Sequence, residues 1–223
     1  MVSAQRTPPG AVVSLSVEGR QDALAGHPDR ERWNARYAAC EPAFSPHPLA
    51  ERALEMTLPE GPVADLACGA SGSALLAAGR GRRVTAVDVS EKALRLLADE
   101  AERRGLDGLL TLVHADLATW RPGPGVYALV ICTGYWDRAL FEAACGAVRA
   151  GGVLAWEAFT QEARASRPHL PASWCLGAGE PATLLPAGYE VLCQRDVTGV
   201  GRGGKRRMLA RAPGSAAESP ADG

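Results

Sequence analysis

Metal-binding and disulfide chemistry are the first things this sequence lacks. Its six cysteines, Cys40, Cys68, Cys132, Cys145, Cys175 and Cys193, form neither a Cys-x-x-Cys pair nor a Cys/His cluster. Neither a zinc site nor a disulfide framework is therefore expected, and no metal ligands are assigned. Several of these thiols lie inside apolar runs, where a free cysteine packs as a small core residue, and a reducing cytoplasm is the simplest expectation. No apolar run is long enough to span a bilayer, and no basic-apolar-cleavage pattern opens the chain, so no membrane partner is expected. Charge of one sign is also missing. Net charge is −1 and the pI is about 6.4, which leaves no global basic field to recruit nucleic acid. Lysine is nearly absent, with arginine supplying the positive charge; this is a compositional bias without functional weight. There is no internal repeat, which argues against a solenoid.

What is present reads as one soluble α/β domain. A chain of 223 residues with 47% hydrophobic and 22% charged residues builds one sizeable core but not two full domains. Residues 1–26 and 213–223 have the small, Pro- and Gly-rich composition of flexible tails, and residues 27–212 form the domain. The apolar stretch at Val63 runs into Ala67-Cys68-Gly69-Ala70-Ser71-Gly72, a small-residue turn followed by a helical pattern. Such a turn lets backbone approach a ligand closely and presents the helix's unpaired N–H groups. Val84 to Asp88 is a second strand ending in an acid about twenty residues later, the spacing that serves a ribose. Leu110 to Asp116, Tyr127 to Cys132 and Val153 to Phe159 continue the strand series, with a helix from Asp137 to Val148. Ser90 as N-cap, Glu91 in the first turn, and Ala93, Leu94, Leu97, Ala98 and Ala101 at helical spacing predict a helix over 91–104, stopped by Gly105. Alternation of strands and helices implies βαβ units and a parallel sheet. Tyr189 to Val197 and Arg206 to Arg211, joined through a glycine-rich segment, read as a closing hairpin with a mobile connection.

With this ordered series in place, roughly Trp33 to Ala212 resembles the class I S-adenosylmethionine (SAM) dependent methyltransferases. The resemblance implies a Rossmann-like α/β fold: a seven-stranded, mostly parallel sheet ending in an antiparallel hairpin. It further implies a cytoplasmic enzyme that moves a methyl group from its SAM cofactor to a small-molecule acceptor. By resemblance, Asp65, Ala67 and Gly69 hold the methionine end, Asp88 with Val89 the ribose, and Asp116 with Leu117 the adenine. Thr133 lies on the cofactor side of the fourth strand's end. Tyr135, Trp136 and Arg138, with Glu157 and Phe159 at the end of the fifth strand, would face the acceptor. Trp33 and Tyr37, four residues apart on one helix face, resemble the Trp-x-x-x-Tyr element that folds over the cofactor in small bacterial tellurite-resistance and thiopurine-type methyltransferases. Aromatic faces suit a sulfonium cation.

Competing readings stay open. Trp33 and Tyr37 also suit ordinary helix packing, Asp116 a turn cap, Asp137 an N-cap, His114 a plain strand position, and Cys68 and Cys132 core packing. Ser71 stands where relatives carry a second glycine, so either Ser71 has ordinary dihedrals or Gly72 takes over in a shifted turn. No Asn-Pro-Pro-Tyr signature and no Pro-Cys nucleophile is present, which argues against adenine, glutamine or cytosine acceptors. An NAD(P)-dependent oxidoreductase is the first alternative, opposed by the incomplete Gly-x-Gly-x-x-Gly pattern and the missing Tyr-x-x-x-Lys pair; a non-catalytic SAM-binding module is the second. Lys205, Arg206 and Arg207, with Arg202, form a basic cluster expected at a solvated hairpin tip.

Overall fold

The computed structural model describes residues 24–199 and 202–214. Most of both expected tails, and Gly201 in the hairpin connection, lie outside the described residues. Two helices, α1 (Pro28–Ala39) and α2 (Pro48–Leu54), precede the first strand. There follow β1 (Val63–Leu66), α3 (Gly72–Gly79), β2 (Val84–Asp88), α4 (Glu91–Arg103), β3 (Leu110–His114), β4 (Tyr127–Thr133) and α5 (Arg138–Ala147). The chain continues through β5 (Val148–Thr160), the single turn α6 (Ala163–Ser166), β6 (Cys175–Leu176), β7 (Glu190–Gly199) and β8 (Arg202–Arg211).

The sheet runs β3-β2-β1-β4-β5-β8-β7, with β6 paired to β5 off this path. β1 to β6 pair with one another in parallel, whereas β5–β8 and β7–β8 pair antiparallel. The expected architecture is therefore present, with an eighth strand of only two residues. β1 and β4 are buried along nearly their whole length, as parallel strands covered on both faces must be, and this is why they read as continuous apolar runs. Alternate residues feed two cores. Leu66, Val130, Cys132 and Trp156 meet Phe141 of α5 on one face; Val63, Ala86, Ile131 and Ala155 meet α2, α3 and α4 through Leu49, Leu75 and Leu97 on the other.

α4 matches its sequence signals within one residue. Ser90 caps it by accepting from Ala93 N–H at 3.1 Å, and Gly105 takes φ +67 beyond the Arg104 C-cap. Two boundaries differ from the sequence reading. β5 begins at Val148 rather than Val153, because the expected Arg149-Gly152 turn is absorbed as an irregular extension in which Gly151 has φ +72. β8 begins at Arg202, four residues earlier than expected, since Lys205 and Arg206 continue the ladder opposite Phe159 and Ala158.

Candidate functional site

At the carboxyl ends of β1 and β2 the chain brings Asp65, the 67–72 turn and Asp88 together. Asp88 is the organising group: Oδ2 accepts Gly69 N–H and Oδ1 accepts Ser90 N–H, each at 2.8 Å. It thereby fixes both the small-residue turn and the start of α4. Burial raises its pKa, while the Ser90 and Gly69 amides oppose that shift. Asp65 accepts the Ser71 hydroxyl at 2.6 Å. Burial pushes the Asp65 carboxyl up to about 7, partly countered by the Ser71 bond and reinforced by Asp88. Neither acid has a salt-bridge partner among the described residues.

The glycine question resolves in favour of ordinary dihedrals at Ser71, which has φ −82 and caps α3 through Ala74 N–H. The left-handed conformations fall instead on Gly69 (φ +60) and on Ala67 (φ +51), and for alanine that costs about 1–2 kcal/mol. Gly72 serves close approach rather than a shifted turn: a Cβ there would overlap the Phe44 carbonyl and Ser45, which lead into α2.

α1 lies over this crevice. None of its residues is fully buried, and polar contacts hold it. Arg30 donates to both Glu91 oxygens at 2.9 and 2.8 Å, and Asn34 donates to Glu91 at 2.9 Å. Asn34 Oδ1 also accepts the Ser90 hydroxyl at 2.7 Å, and His27 reaches Asp116 at 3.4 Å. The Arg30 bonds chiefly pull the Glu91 pKa down to about 2. Trp33 and Tyr37 stand side by side with centroids 6.4 Å apart. The Arg32 guanidinium sits between Trp33 and Trp174, and so joins α1 to the segment after β5. Tyr37 reaches the turn itself: a Cβ on Gly69 would overlap its hydroxyl. Burial, then the Asp88 charge, raises the Tyr37 pKa.

The remaining expected residues divide between this crevice, the core and the far end of β5. Asp116 caps its own turn by accepting Ala118 N–H at 2.8 Å, and Leu117 beside it is buried. His114 Nε2 donates to the Val89 carbonyl at 3.0 Å. Thr133 ends β4 opposite Glu157, and Gly134 N–H donates to the Glu157 carbonyl at 2.7 Å. Tyr135 is half-buried, and burial followed by the Asp137 and Asp116 charges raises its pKa, so its phenol stays neutral. Trp136 points into the core, 5.4 Å from Phe141 and 6.1 Å edge-on to Trp156, rather than standing open beside Tyr135. Asp137 caps α5 through Leu140 N–H at 2.7 Å, and Arg138 pairs with Glu180. Cys68 and Cys132 have pKa values raised by burial, which fits packing rather than nucleophilic roles.

Glu157 is fully buried and bonded by three groups that sequence reading did not connect to it: His47 Nε2 at 3.1 Å, Lys205 Nζ at 2.5 Å and Arg207 Nε at 2.5 Å. Burial alone would raise its pKa, but the bonds from His47 and Lys205, the Lys205 charge and Arg207 together hold it well below the usual carboxylate range. His47 accepts Leu49 N–H on Nδ1, so Nε2 carries the proton it offers to Glu157. The Phe159 ring lies between Arg167 (4.7 Å) and Lys205 (5.2 Å). The α1 latch was equally missed, although Arg30 and Asn34 at i, i+4 on one helix face were a signal for it.

These residues fit SAM. Two buried acids without a salt bridge among the described residues suit a ligand with a cationic end and a ribose. Among the described residues no helix is long and apolar enough to cross a membrane, and no His/Cys/Asp/Glu group is arranged to hold a metal ion.

A family model described as a methyltransferase domain matches residues 63–152. No curated protein matches the chain. Among solved structures, the chain is similar to one from work on the conversion of a disulfide bond into a thioacetal group during echinomycin biosynthesis. That match has a TM-score of 0.62 and 21% identity, and covers 84% of this chain and 94% of that one. A SAM-dependent methyltransferase from Mesorhizobium loti aligns at TM-score 0.58 and 18% identity over 73% and 95% of the two chains. Geranyl diphosphate C-methyltransferase from Streptomyces coelicolor aligns at 0.54 and 16% over 73% and 74%. The domain match over residues 63–152 and the antiparallel β5-β8-β7 edge give the chain the fold of the class I methyltransferases and favour it over the oxidoreductase alternative.

Proposed function

We propose that this protein transfers the methyl group of SAM to a small-molecule acceptor bound at the carboxyl ends of β4 and β5. The observation that carries the reading is the pair of buried acids, Asp65 and Asp88, meeting at the Gly69 turn with no salt-bridge partner among the described residues. Asp65, Ala67 and Gly69 would hold the methionine end, Asp88 and Val89 the ribose, and Asp116, Leu117 and Thr133 the remainder. Trp33 and Tyr37 form the cover, and this placement supports the likeness to the small bacterial tellurite-resistance and thiopurine-type enzymes. When bound, SAM supplies an electrophilic methyl on a sulfonium, and methyl transfer then needs chiefly alignment and exclusion of water.

The chain's own residues serve those two needs. α1 excludes water while Arg30, Asn34 and Glu91 keep it seated. Tyr135, Arg138, Glu157 and Phe159 shape the acceptor side. Glu157 acts there by holding Lys205, Arg207 and His47 in place and not as a base, because its carboxylate is fully engaged. The small-molecule reading also draws support from fold neighbours that act on geranyl diphosphate and phosphoethanolamine.

The experiment is transfer of label from methyl-labelled SAM across a panel of thiols, phenols, amines and carboxylates. Label should appear in at least one acceptor and depend on Asp88. SAM that binds yet keeps its label against every acceptor would favour the non-catalytic binding module instead.

A further inference from the structure

On the α2 face of the sheet, α2 and the β7–β8 hairpin border a concavity that neither Asp65 nor Asp88 lines. Its floor is apolar, made by Pro48, Leu49 and Leu209; its walls carry Arg52 from α2, Arg195 from β7 and Arg207 from β8, with no acid among the lining residues. Arg195 and Arg207 stand directly opposite each other across the antiparallel pair, a position where like charges repel. Arg52 and Arg195 are exposed, and neither makes a hydrogen bond or ion pair among the described residues. Arg207 spends only Nε, on Glu157 Oε2, and leaves both Nη groups unengaged. A guanidinium stays charged and offers its donors as a planar fork matched to carboxylate and phosphate oxygens.

We propose that this concavity binds an anionic group, a carboxylate or phosphate ester, carried on a small apolar body that packs against Leu49 and Leu209. The anion neutralises Arg52 and Arg195, which have no ion-pair partner among the described residues, and takes the unengaged Nη groups of Arg207, while the apolar floor gives the rest of the molecule a surface to pack on. A continuous path joins this site to the crevice. Arg207 bonds Glu157, Glu157 bonds His47, and the His47 backbone N–H donates at 2.9 Å to Ser73 at the start of α3. The anionic group belongs either to the methyl acceptor or to a separate small molecule; the recognition chemistry is the same.

The test is calorimetric titration of the full chain with phenyl phosphate and with inorganic phosphate at low ionic strength, where exposed charges are least screened. Saturable binding is expected for both probes, tighter for phenyl phosphate. R52Q/R195Q should weaken phenyl phosphate about tenfold or more, while the melting temperature without ligand does not fall and the SAM titration stays unchanged. No saturable heat from either probe, or equal affinity in variant and wild type, would overturn the proposal. Repeating the titration with saturating demethylated SAM separates the sources: a changed affinity assigns the anion to the acceptor, and an unchanged one to a separate ligand. No step requires SAM, so failure of SAM to bind would refute the methyltransferase reading and leave this result standing.

Discussion

Asp88→Asn isolates the group on which the crevice is built. The substitution keeps the shape of the side chain but replaces one acceptor oxygen with an NH2 donor. Gly69 N–H and Ser90 N–H each take a separate carboxylate oxygen at 2.8 Å, so in the variant one of these amides faces a donor. Leaving a buried N–H unsatisfied costs about 1–3 kcal/mol. The other bond loses its charge assistance, a further loss of about 1 kcal/mol. Removing the charge offsets part of this, because burial disfavours the ionised form of Asp88. A net loss of about 2 kcal/mol follows, which for a chain of this size lowers the melting temperature by roughly 4–8 °C. SAM affinity should fall about tenfold or more, since a charged acceptor for ribose hydroxyls is lost as well. Calorimetric melting and SAM titration of the same preparation read both effects. A melting temperature within a degree of wild type would refute the role of Asp88 in pinning the turn, and unchanged SAM affinity would remove it from the cofactor site.

Other consequences concern charge. The Asp65 carboxyl is raised to about 7 in the folded chain, so it favours the folded state most at low pH, and that stability is lost as pH climbs from about 4 to about 7. Glu91, held down at about 2, works the other way: its stabilisation is complete above about pH 5 and is lost as pH falls toward 2. Melting temperature should therefore be highest near pH 5 and decline toward neutrality, and Asp65→Asn should flatten that decline; an unchanged slope in the variant would dismiss Asp65 as its source. Glu157→Gln strands two cations on a buried amide and should cost about 3 kcal/mol, at the low end for a broken buried pair because Lys205 and Arg207 reach solvent. Urea unfolding would show this, and a loss below about 1 kcal/mol would contradict the buried cluster. Glu91→Gln weakens the α1 latch by about 1 kcal/mol, which speeds hydrogen exchange in α1 roughly fivefold. Unaltered exchange there would mean that Arg30 and Asn34 do not hold the helix.

Local chemistry made the parallel half of the fold legible. β1, β2 and β4 announce themselves as short apolar runs because both faces are buried, and Ser90, Glu91 and Gly105 mark the ends of α4 by capping rules that need no tertiary context. The Asp65 and Asp88 positions followed from where those strands end. Contacts between distant segments were not legible. The Glu157 cluster joins residues 47, 157, 205 and 207 from three elements, and no local periodicity reports such a meeting. Trp136 looked like a pocket wall by its place after β4, yet its indole packs in the core against Phe141 and Trp156. Of the two readings open for Ser71, ordinary dihedrals hold because it caps α3 and bonds Asp65, whereas the left-handed Ala67 had no sequence signal.

The measurement that bears most directly on this account is a calorimetric titration of the purified chain with SAM and with its demethylated product, run beside NAD(P) in buffers of different ionisation enthalpy. The account predicts micromolar binding of SAM or product and none of NAD(P). It also predicts proton release with SAM near pH 7, as a cationic ligand draws Asp65 into its ionised form. Absence of heat from both SAM and its product, or binding of NAD(P) in their place, would contradict it.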